Sequence, residues 1–236
     1  MSVQEAGDPY LEQRRRLVEK LVEEGYIRSE KVRKAMLRVP RHLFVPDELV
    51  EMAYADTPLL IGLGQTISAP HMVALMTELA ELEVGMKVLE VGTGSGYHAA
   101  VLAEVVAPSD ADRERWGHVY SIERLPELAE RARSNLERAG YSDRVTVLVG
   151  DGTLGYPERA PYDRIVVTAA APDVPSPLIS QLKPGGVMVI PIGDRFIQYL
   201  YVVRKEADGT VKMKKTIPVL FVPLVGEFGW KPHEAW

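Results

Sequence analysis

The chain has 236 residues, a formal net charge of −5 and no cysteine. That length suffices for one domain with a full core, and the missing cysteines exclude disulfides, thiolate metal sites and cysteine nucleophiles. The acidic balance disfavours a broad nucleic-acid surface; residues 1–16 are polar, no apolar run is long enough to span a bilayer, and a cytoplasmic protein without membrane association is expected.

The first third reads as helical. Leu11, Leu17, Val18, Leu21 and Val22 recur near helical spacing until Gly25, and Ser29 can cap a second helix carrying Val32, Ala35, Met36 and Val39 before Pro40. A short helix is expected over residues 47–54, then an irregular Gly, Pro and Thr-rich segment over 55–68, and a helix over 70–82 with Met72, Val73, Met76, Leu79 and Ala80 on its apolar face. Beyond residue 87 strands and helices alternate: strands at 119–122, 145–149, 163–167 and 187–191, helices at 126–139 and 177–182. Such alternation implies a doubly wound α/β fold of parallel strands with right-handed crossovers. Residues 198–205 and 211–222 are strand-like and flank Asp208-Gly209, a hairpin signal, so the sheet should finish antiparallel. Residues 108–116 read as a surface insertion.

Lys87-Val88-Leu89-Glu90-Val91 is a buried-strand pattern that breaks into Gly92-Thr93-Gly94-Ser95-Gly96-Tyr97 before a helix. Alternate glycines let a ligand approach the main chain, and a helix N-terminus offers free N–H groups. A dinucleotide fingerprint needs its third glycine one residue later; no Gly-Lys-Ser/Thr follows for a phosphate loop, and Ser95 is not in a G-x-S-x-G elbow. The E-x-G-x-G-x-G turn opened by Glu90 resembles the first motif of class I methyltransferases, which implies S-adenosylmethionine as cofactor. An acidic strand end suits that ligand, which carries a sulfonium and no phosphate. In a doubly wound sheet, ligands bind beyond the carboxyl ends of strands, so Glu123 is a candidate for the ribose hydroxyls. Asp151 and Gly152 are candidates for the adenine, or form a plain turn. Ala169, in Thr168-Ala169-Ala170-Ala171-Pro172, suits a narrow pocket or simple packing.

Residues 54–72, centred on Gln65-Thr66-Ile67-Ser68, resemble the signature of the protein-L-isoaspartate O-methyltransferases. The likeness extends from Val39-Pro40-Arg41 through Gly150-Asp151-Gly152 and Leu182-Lys183-Pro184-Gly185-Gly186 to Phe221-Val222-Pro223-Leu224. The resemblance implies a Rossmann-like methyltransferase domain over 1–236: helices and substrate loop in 1–82, cofactor core in 83–193, C-terminal strands and tail in 194–236. It implies methyl transfer from S-adenosyl-L-methionine, leaving S-adenosyl-L-homocysteine, to the α-carboxyl of L-isoaspartyl residues in damaged proteins and peptides, initiating repair to aspartate. No stable protein partner is implied. Ser68 is implied as catalytic, Glu90, Gly92, Gly94, Gly96, Glu123, Asp151, Gly152 and Ala169 as cofactor residues, and Ile61, Gln65, Thr66, Ser68, His71 and Val222 as substrate residues. Ser68 is expected both to orient the substrate carboxylate and to cap the helix begun by Pro70. His71 either bonds a ligand or is merely exposed; His98 is expected to pack against the glycine loop; Asp56 shapes the substrate loop or makes an Asx turn. The five histidines have no metal-ligand spacing, so no metal is expected. A methyltransferase for RNA or small molecules and a non-catalytic adenosine-binding module are the competing readings.

Overall fold

A computed structural model describes residues 7–235; residues 1–6 of the polar N-terminal stretch and Trp236 lie outside the described residues. Helices α1 (Leu11–Glu23) and α2 (Glu30–Arg38) form as the spacing predicts. Gly25, at φ 79°, ends the first turn region, and Ser29 Oγ accepts the Val32 N–H at 3.4 Å as the α2 cap. The short helix expected over 47–54 is a 3-10 turn, Asp47–Met52, with no buried residue. Only Leu49 and Val50 of it pack, part-buried, against the core, too short an apolar face to sustain a full helix.

The expected irregular stretch holds a hairpin instead: strands β1 (Leu59–Gly62) and β2 (Gln65–Ile67) pair antiparallel. Leu63 and Gly64 make its turn with φ of 53° and 70°. A two-residue turn with both φ positive matches the twist of flanking strands, but leucine at its first position hides the usual Asn-Gly or Asp-Gly signal. Helix α3 (Pro70–Leu79) follows.

The main sheet has seven strands: β3 (Lys87–Val91), β4 (His118–Glu123), β5 (Val145–Val149), β6 (Tyr162–Val167), β7 (Leu182–Gly193), β8 (Gln198–Lys205) and β9 (Val211–Val219). Their spatial order is β5-β4-β3-β6-β7-β8-β9. Pairs from β5 through β7 are parallel, and β7-β8-β9 is antiparallel. The last strand stops at Val219, short of the expected 222. Helices α4 (Tyr97–Val106), α5 (Pro126–Arg138) and α6 (Ser176–Gln181) are the crossovers. Every residue of α4 is buried, which accounts for its largely apolar composition.

The 108–116 segment is tied down. Trp116 Nε1 donates to the Pro108 and Ala111 carbonyls at 3.0 and 3.2 Å, and Arg38 pairs with both Asp110 and the buried Glu104. Glu104 also accepts from Ser109, Tyr141 and Arg144. These bonds satisfy an acid inside the fold, which would otherwise cost several kcal/mol unpaired. Among the described residues no helix is long and apolar enough to cross a membrane.

Candidate active site

Strand order reverses where β3 lies between β4 and β6, and there the carboxyl ends of the strands open into a cleft. Its walls are Val91, Gly92 and Gly94 after β3, Ile122, Glu123 and Arg124 after β4, Gly152 after β5, and Thr168 and Ala169 after β6; Gln65 and Thr66 of the β1–β2 hairpin and residues 222–225 close it. The non-protein space between these walls, part of it open to solvent, is about 540 Å³.

The glycines divide their work. Gly92 (φ 99°) and Gly94 (φ 55°) line the cleft. A Cβ on Gly92 would run into Thr168 Oγ1, which donates to the Gly92 carbonyl at 2.6 Å and clasps the turn to β6. Gly96, expected at the cofactor, does not reach the cleft. It begins α4 at φ 89° and packs against α5, where a Cβ would meet Leu136 Cγ at 3.2 Å and the Ala132 carbonyl at 3.3 Å.

Glu90 likewise lies outside the cleft, because Val91 faces it and successive strand side chains alternate sides. It is fully buried and accepts a short hydrogen bond from Ser121 Oγ, which sits 2.6 Å from Thr93 Oγ1. Its Oε1 has no partner among the described residues. Burial, with a contribution from nearby Glu123, pushes its carboxyl up to about 8. Glu90 therefore props the turn from behind.

Glu123 does face the cleft. Its Oε2 accepts the Gly94 N–H at 3.0 Å and its Oε1 the Leu125 N–H at 3.1 Å. Each oxygen keeps a lone pair, so the carboxylate can still accept two hydroxyls. Of the two readings of Asp151, the turn is the one its side chain forms. Its Oδ1 accepts Thr153 N and Oγ1 at 2.9 and 2.7 Å, while Oδ2 accepts the Glu227 N–H at 2.7 Å. The residue caps a 3-10 turn, Gly152–Leu154, and pins the C-terminal tail; neighbouring Gly152 is the one that reaches the cleft.

In the substrate loop, Gln65 and Thr66 line the cleft, and the buried Ile61 brings Cδ1 within 3.6 Å of where a Gly94 Cβ would stand. Ser68 is half-buried and does not cap α3; the cap residue is Ala69, with no side-chain bond. Asp56 takes that duty from across the loop: its Oδ1 accepts the His71 N–H at 2.9 Å and pairs with His71 Nδ1 at 2.9 Å. His71, its ring 5.1 Å from that of Tyr26, thus serves the loop anchor rather than the cleft. His98 reaches α3, where its Nε2 lies 3.1 Å from Thr77 Oγ1, and burial pushes its pKa down to about 3.

Val222 lines the far wall, and its carbonyl accepts the Ala170 N–H at 2.8 Å. Next to it Gln198, 3% exposed, grips Phe221 at both ends: Oε1 accepts its N–H at 2.7 Å and Nε2 donates to its carbonyl at 3.1 Å. Thr168, in the segment read as suited to a narrow pocket, does line the cleft, whereas Arg124 and Gln198 escape the sequence reading; Gln198 opens a strand and carries no signal.

The cleft suits a sulfonium-bearing nucleoside. It combines a close-approach glycine turn, a carboxylate with acceptor capacity left, and small residues at Gly152 and Ala169 that admit a flat base.

A family model described as protein-L-isoaspartate(D-aspartate) O-methyltransferase matches residues 12–229. A protein-L-isoaspartate O-methyltransferase of Hyperthermus butylicus is 74% identical over 226 residues, covering 96% of this chain and 94% of that protein. One of Staphylothermus marinus is 60% identical, covering 93% and 96%. Among solved structures, a Plasmodium falciparum protein assigned to the same activity, in complex with S-adenosyl-L-homocysteine, superposes with a TM-score of 0.79 at 28% identity, over 90% of this chain and 98% of the other. A structure described as protein-L-isoaspartate O-methyltransferase gives 0.81 at 33% identity, over 92% and 67%.

Proposed function

The chain belongs to the protein-L-isoaspartate(D-aspartate) O-methyltransferase family, and from that premise we propose how its cleft performs the reaction. The protein transfers a methyl group from S-adenosyl-L-methionine to the α-carboxyl of L-isoaspartyl residues in damaged proteins and peptides, which initiates their return to aspartate. Bound in the cleft, the cofactor supplies an electrophilic methyl on a sulfonium. Gly92, Gly94, Glu123, Gly152 and Ala169 hold it, Glu123 accepting the ribose hydroxyls. Glu90, Gly96 and Asp151 act at one remove by fixing the turn, its helix and the tail.

A substrate carboxyl with a pKa near ~4 is ionised at neutral pH, so its attack needs no general base. The protein's part is alignment and removal of water. Ser68 donates its hydroxyl to the attacking carboxylate and orients it; Gln65 and Thr66 shape the approach, with Ile61 beneath them and the Asp56–His71 anchor holding the loop to α3. Val222 presents backbone to the peptide. The chain works as a single domain in the cytoplasm, without a stable partner. The observation that carries this reading is the meeting of Gln65 and Thr66, Gly92 and Gly94, Glu123, and Val222 around one cleft.

The test is incubation with an isoaspartyl peptide and methyl donor, with base-labile ester measured as released methanol and the matched aspartyl peptide as control. Ester on the isoaspartyl peptide alone is expected. Methylation of RNA without peptide, or cofactor binding without turnover on any carboxylate, would overturn the reading.

A further inference from the structure

Resting on the reading of the cleft as an isoaspartyl site, we propose that Leu220, Ile197 and Phe196 form an apolar subsite for the side chain two residues from the isoaspartyl residue in an extended substrate segment. The three are 78%, 63% and 75% exposed. Large apolar side chains exposed close together signal a binding surface rather than ordinary surface scatter.

The local chain fixes their relation to the site. Phe221 turns inward, 8% exposed, with both its backbone groups held by Gln198. Leu220 and Val222 flank it, and in an extended segment residues two apart share a face. Val222 lines the cleft, so Leu220 continues that face outward onto the rim. In the β8–β9 pair, Gln198 stands opposite Val219, which brings Ile197 beside Leu220 with Phe196 next along the turn. Arg195 lies over the Phe196 ring, 4.6 Å from its centroid, and covers part of it. The β1–β2 hairpin adds Leu60 and Leu63, 66% and 47% exposed, on the element that carries Gln65 and Thr66.

The Val222 N–H has no acceptor among the described residues. A peptide taking that donor aligns with residues 220–222, by the strand-addition mode of peptide recognition. On the N-terminal side of the isoaspartyl residue its side chains then repeat every two residues, about 6.6 Å, while on the other side the extra main-chain carbon lengthens the first step. With the isoaspartyl group at Val222, the side chain two positions away lies on Leu220. Apolar side chains are mostly buried in intact folds, so the subsite favours damaged segments that have already come open.

Two peptide series test this, with Leu or Gly placed two residues before, or two residues after, the isoaspartyl position. At one of the two positions Leu should raise kcat/KM about tenfold over Gly, the effect of half-burying a leucine. In the Leu220→Asn, Ile197→Asn double variant, whose changes lie on the surface, that ratio should shrink to within about twofold. Equal rates for Leu and Gly at both positions, with methylation proceeding, would overturn the subsite, as would an undiminished ratio in the variant. No methylation of any isoaspartyl peptide by the unaltered protein would instead overturn the functional reading, and the subsite with it.

Discussion

Replacing Gln198 with leucine removes the two hydrogen bonds that hold Phe221 while keeping similar bulk. If Phe221 stayed in place, its buried N–H and C=O would both go unpaired, at ~1–3 kcal/mol each. Letting Phe221 swing out, while the Val222 carbonyl keeps its bond from the Ala170 N–H, forfeits instead the burial of one phenylalanine, ~2 kcal/mol. The second route costs less, so Phe221 detaches while the sheet survives. In a chain of this size the loss lowers Tm by about 4–8 °C. Amide hydrogen exchange should show faster exchange at Phe221, and the KM for an isoaspartyl peptide should rise several-fold. Affinity for S-adenosyl-L-homocysteine, measured by calorimetry, should change much less, since Gly92, Gly94 and Glu123 are untouched. Gln198→Glu keeps the acceptor for the Phe221 N–H and should fall between the two. Unchanged protection at Phe221, or KM and cofactor affinity moving by one factor, would refute this account.

Ser68→Ala should lower kcat by about tenfold or more with cofactor affinity nearly intact, as for loss of one donor to a reacting carboxylate; steady-state kinetics beside calorimetry checks it. Asp151→Ala should free the Glu227 N–H, hasten proteolytic nicking within residues 225–235 and weaken cofactor binding about tenfold; unaltered proteolysis would contradict its role as tail anchor. Glu90 gives a pH signature. Its folded pKa of about 8 stands above the value near ~4.3 in an unfolded chain. Its contribution to stability is therefore complete below the unfolded value and is lost as pH rises through about 8. Thermal melts from pH 5 to pH 9 should show a decline that Glu90→Gln flattens.

Much of the fold is legible because it obeys local rules. Ser29 caps α2, the Asp208-Gly209 turn joins β8 to β9, and alternating strands and helices generate the parallel half of the sheet. The β1–β2 hairpin is hidden because Leu63 occupies a positive-φ position that propensity assigns to asparagine or glycine. At the site, glycine spacing and strand ends lead to Gly92, Gly94, Glu123, Gly152 and Ala169. Glu90 is misplaced by the same reasoning, since a motif gives the residue but only the strand's pleat decides which face it takes. Asp56 capping α3 and Gln198 clamping Phe221 are long-range bonds, spanning 15 and 23 residues, with no periodic trace in the chain.

The cleft draws its walls from Gln65, upstream of the glycine turn, and from Val222 to Val225, far downstream of it, and Trp230 Nε1 fastens that last wall to the Ala170 carbonyl at 3.1 Å. A ribosome therefore releases the glycine turn and Glu123 long before the pocket can close. Until residues 222–225 emerge the growing polypeptide has a half-built cradle that should neither retain the methyl donor nor modify the carboxyl groups of neighbouring nascent chains. Competence arrives late, with the residues that also present the peptide-binding face.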